Sequence, residues 1–151
     1  MDCRVDTPLG PMLFREENGA ITALRFAEAG ENEELPSPTS ELSRRTEEWL
    51  RRYFAGDNPT HDLPLAPAGT VFQRRVWQAA RTISYGETVS YGQLARQIDC
   101  GSARAVGAAL NKNPIWLLIP CHRVVGADGS LTGYAGGLAI KAALLALEKQ
   151  K

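Results

Sequence analysis

Between Ser90 and Pro114 the chain reads SYGQLARQIDCGSARAVGAALNKNP. Ser90 and Gln93 have capping-box spacing, so each satisfies an orphan amide at the start of a helix over SYGQLARQI. DCGS is a short turn carrying a glycine. ARAVGAALNKN then reads as a second helix, ending at Asn113-Pro114 because the residue before a proline is pushed out of helical conformation. Helix, tight turn and second helix is the helix-turn-helix pattern, and equally that of an ordinary αα-hairpin. The second helix is rich in Ala and Gly. It is therefore slim, suited to pressing against a groove or a neighbouring helix.

Upstream, TVFQRRVWQAARTI repeats the capping-box spacing with Thr70 and Gln73 and predicts a helix with Phe72, Val76, Ala79 and Ile83 on one face. Trp77 and, further back, Trp49 read as core. Downstream lie IPCHRVVG (Ile119–Gly126), the glycine-rich GADGSLTGYAGG, and a last helix through Ile140, Leu144 and Leu147. The N-terminal half has a different character. CRVDTPLG, PMLFREENGA and ITALRF read as short strands, and Asn18-Gly19 is a strong hairpin signal since both residues tolerate positive φ. After an acidic loop, Leu42, Thr46, Trp49, Leu50 and Tyr53 follow helical spacing, with Ser37-Pro38 as the start and Gly56 as the stop. GDNPTHDLPLAPAG, with Pro59, Pro64 and Pro67, has no periodicity and reads as a linker. The expected division is 1–68 and 69–151.

Composition narrows the function classes. With 44% apolar and 23% charged residues, the 151-residue chain is ordinary for a globular protein. Apolar runs such as IWLLIP are too short to span a bilayer, and no basic and apolar leader pattern is visible, so no membrane partner and a cytoplasmic setting are expected. Three cysteines without a CxxC pair argue against a disulfide framework and a zinc knuckle. The net charge of zero conceals a polarity. Up to Ala68 there are seven Arg against thirteen acids, a balance of −6; from Gly69 onward ten Lys/Arg face four acids, a balance of +6. A basic half is the electrostatic footprint of a phosphate-binding surface.

Cys121 sits beside His122. A free thiol has a pKa of about 8.5, so it needs a neighbour to ionise near neutrality. On a strand adjacent side chains point to opposite faces, so contact with His122 would need a bridging water or a turn after Pro120. An imidazole that takes a thiol proton works better when a carboxylate orients it. The second half offers only Glu87, Asp99, Asp128 and Glu148. Glu148 follows Leu144 and Leu147, so a buried helix end would bring it inward; a solvated helix-terminal acid fits the spacing equally. From the residues alone, a buried structural thiol, a cysteine hydrolase and a DNA-facing nucleophile all remain open.

NPIWLLIPCHRVVG, taken with VSYGQLA, ARAVGAALNKNP, TGYAGG and LLALE, closely resembles the O6-alkylguanine-DNA alkyltransferases, from about Thr70 to Glu148. The N-terminal half resembles them only in length, order of elements and its TPLG opening. The resemblance implies an α+β fold: a small ribonuclease H-like sheet with a helix (1–68, a support domain), then a mostly helical winged-helix domain (69–151) carrying the site. It implies a monomer that binds double-stranded DNA containing alkylated guanine in the minor groove, flips the base out, and transfers the alkyl group irreversibly to Cys121, without a cofactor. O4-alkylthymine is included as a second substrate.

The same resemblance implies that His122 deprotonates Cys121 through a water while Glu148 orients His122. Tyr91 donates a proton to the departing guanine and crowds the 3′ phosphate. Arg104 fills the vacated stack, and Asn113 joins the second helix to the active-site turn. Ser90, Ala105, Gly107 and Arg123 face DNA with Tyr91 and Arg104, Arg123 being equally a structural salt bridge. Tyr134, Ala135 and Gly136 cover the base, and the carbonyls of Cys121 and Val124 read its amino group. Trp116 departs from the family, which more often has proline or a small residue there; it is expected to narrow the alkyl pocket. Some members hold zinc in the first half, but here only Cys3 and His61 are available, so no metal is expected. Cys100 reads as structural. Rival readings are an alkyltransferase-like protein that binds lesions without repair, which would lack Cys121, a winged-helix regulator sensing through Cys121, and a multiple-turnover cysteine hydrolase.

Overall fold

In a computed structural model, residues 2–28, 31, 35–134 and 136–149 are described. The chain divides into two compact units, 1–68 and 69–151. The first holds three antiparallel strands in the order β1 (Asp2–Thr7), β2 (Gly10–Glu17), β3 (Ala20–Phe26), followed by α1 (Glu41–Phe54). Asn18 and Gly19 both take positive φ, 51° and 79°, which gives the hairpin turn the twist that the flanking strands need. The inward faces supply a core of Cys3, Met12, Phe14, Ile21 and Leu24, closed by Leu50 and Tyr53 of α1.

Two expectations for this unit are corrected. α1 begins at Glu41 and not at Ser37-Pro38, because it is Ser40 whose hydroxyl accepts from the Ser43 amide. The proline-rich segment is no free linker. Ile21 N donates to Pro64 O (2.8 Å) and Ala66 N to Ile21 O (2.9 Å), an isolated parallel bridge beside β3. Leu63 is buried, and Trp49 Nε1 donates to Pro59 O. Prolines lack an amide to donate, but their carbonyls still accept at a sheet edge.

The second unit contains α2 (Val71–Ala80), β4 (Val89–Ser90), α3 (Tyr91–Gln97), α4 (Ala103–Asn111), a 3-10 turn (Cys121–Arg123), β5 (Val124–Val125) and α5 (Leu138–Lys149). Both capping boxes form as the sequence predicts, at Thr70/Gln73 and Ser90/Gln93. α2 and α3 both pack on α4. Trp77 is buried, and its Nε1 donates to Ala109 O of α4 at 2.8 Å. In the turn between α3 and α4 the left-handed residue is Asp99 (φ 55°), and Cys100 N returns to Ala95 O (2.8 Å). Gly101, the turn's glycine, is not the residue with positive φ; an aspartate tolerates that conformation because its side chain is short and polar.

The link invisible to local patterning is the parallel pairing of β4 with β5, Val89 with Val124 and Ser90 with Val125. It fastens the entry of α3 to the segment just after Cys121. α5 turns its buried face through Lys141, Leu144, Leu145 and Glu148, spacing i, i+3, i+4, i+7. The expected stripe of Ile140, Leu144 and Leu147 is therefore rotated, with Ile140 and Leu147 only half-buried. Among the described residues no helix is long and apolar enough to cross a membrane.

Trp77 ties α2 to α4 beneath the site. Trp77→Phe loses the indole donor and part of the ring volume, and is expected to destabilise the second unit by about 2 kcal/mol, read as a lower urea midpoint.

Candidate active site

Asn113 lies just beyond α4, after its C-cap Lys112, and is 4% exposed. Its side-chain carbonyl accepts from Ile115 N (2.9 Å), and its amide donates to Ile119 O (3.0 Å). One side chain thus closes the loop between α4 and the cysteine. Inside that loop Leu117 takes φ 69°, and Leu118 N bonds Trp116 O at 2.8 Å. A left-handed, non-glycine residue is costly and persists only where its surroundings hold it; here the Asn113 clamp and the burial of Ile115, Leu117, Leu118 and Ile119 do so.

Cys121 N donates to Ile119 O (2.8 Å) and opens the 3-10 turn. This removes the obstacle that a strand would impose. In a 3-10 turn, with about three residues per turn, successive side chains fan out around the axis and need not alternate between two faces. Cys121, His122 and Arg123 are all buried, and the last two converge on one carboxylate.

That carboxylate is Glu148, 2% exposed. Its Oε2 lies 2.6 Å from His122 Nε2 and accepts from Arg123 Nη2 (3.1 Å). Its Oε1 accepts from Arg123 Nε (2.9 Å) and Gly86 N (3.1 Å). Burial pushes the Glu148 pKa up, but the bonds and charges of His122 and Arg123 outweigh it and hold the group at about 2. An ionised carboxylate only accepts, so Nε2 of His122 carries the hydrogen and Nδ1 is the basic nitrogen of the neutral ring. Burial drives the imidazole pKa down, Glu148 opposes it, and Arg123 and Lys141 add to the fall.

Burial pushes the Cys121 thiol up to about 12, while Asn113 and the charge of Lys141 pull the other way. The resting sulfur is a thiol in a dry turn, and forming a thiolate requires a base at hand. Tyr134 packs beside this group: its ring lies 6.5 Å from that of His122 and 5.7 Å from that of Trp116. Burial also raises the pKa of its phenol, so that it stays protonated. Among the described residues its hydroxyl has no hydrogen-bond partner.

Lys141 went unforeseen. It is fully buried, and its Nζ donates to Val124 O (2.6 Å), Thr132 O (2.7 Å) and Gly133 O (3.2 Å), 5.7 Å from the centre of the Tyr91 ring. Burial lowers its pKa to about 8, with Cys121 acting in the opposite sense. A lysine in a helix reads as solvated, so composition hides it. The available signal was its position seven residues before Glu148, on the same helix face.

The other expected residues lie as follows. Tyr91 opens α3, and its hydroxyl donates to Thr132 O (2.9 Å). Gly107 of α4 lies against that ring, where a Cβ would sit at ordinary contact distance, 3.6 Å. Ser90 is committed as the cap of α3, Arg104 is exposed on α4, and Ala105 is half-buried there. Trp116 is half-buried and donates Nε1 to Asn113 O (3.1 Å). A Cβ on Gly136 would come within 2.8 Å of Tyr134 and 3.0 Å of Trp116, so only glycine fits beneath the two rings. Ala135 lies outside the described residues. Of the two readings of Arg123, the structure forms the salt bridge: the side chain is buried, bonded to Glu148 and to Ile83 O (2.8 Å), with Tyr85 against the guanidinium. The Val124 carbonyl accepts from Lys141 and keeps a second lone pair. Among the described residues no group of three or more His, Cys, Asp or Glu could hold a metal ion.

Comparisons with known proteins place the chain in a family. Residues 71–150 match the family model described as 6-O-methylguanine DNA methyltransferase, DNA binding domain. The methylated-DNA–protein-cysteine methyltransferase of Methanosarcina acetivorans is 44% identical over 147 residues, covering 95% of this chain and 94% of the relative. That of Mycolicibacterium paratuberculosis is 47% identical over 152 residues, covering 97% and 90%. The crystal structure of Mycobacterium tuberculosis OGT in complex with DNA superposes with a TM-score of 0.86 at 45% identity, covering 99% of this chain and 92% of that one. With a cysteine and a histidine in one turn meeting a carboxylate of α5, and kinship over nearly its whole length, the chain belongs to the methylated-DNA–protein-cysteine methyltransferase family.

Proposed function

We propose that the protein repairs DNA by moving an alkyl group, methyl above all, from O6 of guanine to Sγ of Cys121, once per molecule; O4-alkylthymine falls under the same reading. The observation that carries it is the 3-10 turn in which buried Cys121 is followed by His122, whose Nε2 is fixed on ionised Glu148. His122 takes the thiol proton on Nδ1 through one water. The thiolate attacks the alkyl carbon in line; the S–C bond forms as the C–O6 bond breaks, and the electron pair leaves with guanine. Tyr91 gives up its hydroxyl proton to the departing base, releasing Thr132 O, which Lys141 continues to hold. A thioether is a poor leaving group, so the sulfur is not regenerated.

DNA binding is supported by the basic balance of the second half and by α3 and α4 with their short turn. The alkyl carbon is out of reach inside a duplex, so the lesion has to leave the stack. In this reading α4 enters the minor groove, whose degenerate base edges suit a protein that must find one lesion in any sequence. Arg104, exposed on α4, takes the place of the flipped base. The protein acts as a monomer in the cytoplasm.

Intact mass spectrometry after incubation with a duplex containing O6-methylguanine tests the reaction. The expected result is one added CH₂, about 14 Da, on the Cys121 peptide at a one-to-one limit, and none after Cys121→Ala. A stably bound but unmodified protein would rule out transfer.

Trp116 leans on Tyr134 and Gly136, which narrows the space for the alkyl group. Trp116→Ala is therefore expected to speed reaction with O6-benzylguanine by at least about tenfold while changing O6-methylguanine transfer little. Equal benzyl rates in the two proteins would sink this role.

A further inference from the structure

Arg123 is a buried charged side chain of the second unit that the transfer reaction leaves unexplained. Its guanidinium forks onto Glu148, Nε to Oε1 at 2.9 Å and Nη2 to Oε2 at 3.1 Å. The third nitrogen, Nη1, is anchored on Ile83 O at 2.8 Å, and the Tyr85 ring lies 5.6 Å from the guanidinium carbon. Such a bidentate pair fixes the plane of a carboxylate as well as neutralising it. Oε2 is the oxygen that also bonds His122, so the two basic groups share one negative charge.

The geometry points to Arg123 as a positioning residue for the proton-transfer relay: it sets the plane of Glu148 and takes up part of its charge, so that His122 rests as a neutral base with Nε2–H toward the carboxylate. This rests on the alkyl-transfer reading above. The physical reason is a balance of opposites. Glu148 alone, buried against an imidazole, would favour imidazolium, a form that cannot accept the thiol proton. A guanidinium on the same carboxylate offsets that pull. The groups that face His122 are Glu148 and Lys141 from α5, Arg123 and Cys121 from its own turn, and Tyr134 from the loop before α5. Lys141 acts in the same sense as Arg123 but bonds backbone carbonyls, so it does not orient Glu148. Arginine is required where lysine falls short, because only a planar fork reaches both oxygens and a third acceptor together.

The chain has two histidines, so with His61→Gln as an assignment aid, imidazole NMR follows His122 alone. In the wild type His122 is expected to show the Nε2–H tautomer at neutral pH. In Arg123→Met its titration midpoint is expected to rise by about one pH unit or more, an opposite charge having lost its counterweight. The low-pH limb of single-turnover methyl transfer should move up with it. Arg123→Gln keeps a donor of similar shape without the charge and is expected to behave like Arg123→Met, which covers the case where the methionine variant does not fold. Arg123→Lys should restore the midpoint while slowing transfer, the charge remaining but the fork being lost. A folded Met or Gln variant whose His122 midpoint is unchanged overturns the proposal. So does a rate lowered evenly at every pH with no movement of the limb, which is what a merely structural salt bridge gives. Because the NMR titration involves no DNA, failure of the alkyl-transfer reading and failure of this one are told apart.

Discussion

Glu148 accepts four hydrogen bonds on two oxygens, from Gly86, Arg123 twice and His122, in a place almost closed to water. A buried carboxylate survives only with such pairing, because desolvating a charge without partners costs several kcal/mol. Each donor comes from a different part of the second unit's local structure: the turn after α2, and two neighbouring positions of the 3-10 turn. The last turn of α5 is thereby fastened to the segment carrying the cysteine. Removing the carboxylate would strand a guanidinium and release the imidazole, so the fold of this corner and its chemistry share one dependence.

Lys141, two helical turns earlier on the same face, performs the complementary task with opposite charge. It collects three backbone carbonyls from β5 and the glycine-rich loop. Loop carbonyls that point inward need donors, and an ammonium offers three. Tyr91 shares one of those carbonyls, Thr132 O, so the phenol proton can leave without freeing the loop. α5 thus grips the site at both ends: a carboxylate on the histidine side and an ammonium on the loop side. Between them sits a thiol whose burial keeps it protonated at rest. Its reactivity is therefore conditional on a base held in one tautomer, and that condition is met through hydrogen bonds and not through exposure of the sulfur.

Several elements were legible because their signals are local. The two capping boxes, the Asn18-Gly19 turn and the positions of α2, α3 and α4 follow from side chains bonding amides three residues away or from backbone preferences of single residues. Other elements were not. The Pro59–Pro67 segment looked like a linker because proline disrupts ladders, yet its carbonyls and Leu63 were free to pack against β3 and α1. Lys141 went unforeseen, and the salt bridge of Arg123 could not be preferred over an exposed role, because long cationic side chains are usually solvated. The pairing of β4 with β5 involves two residues on each side, too few for any periodicity to show.

The sequence by itself determined the starts of α2 and α3, the hairpin, the charge polarity of the two halves and the identity of the reactive candidate, Cys121 beside His122. These rest on spacings of three or four residues or on composition, which do not depend on what lies across the fold. Tertiary structure alone decided that Cys121 and His122 share a 3-10 turn and not a strand. It also decided that Glu148 points inward, that Arg123 turns away from solvent to meet it, and that Lys141 holds the loop. A buried charge is tolerable only beside its partner, and here the partners lie 25 and 26 residues apart for Arg123 and His122 with Glu148. No local pattern encodes that distance; only the packing of α5 onto the turn supplies it.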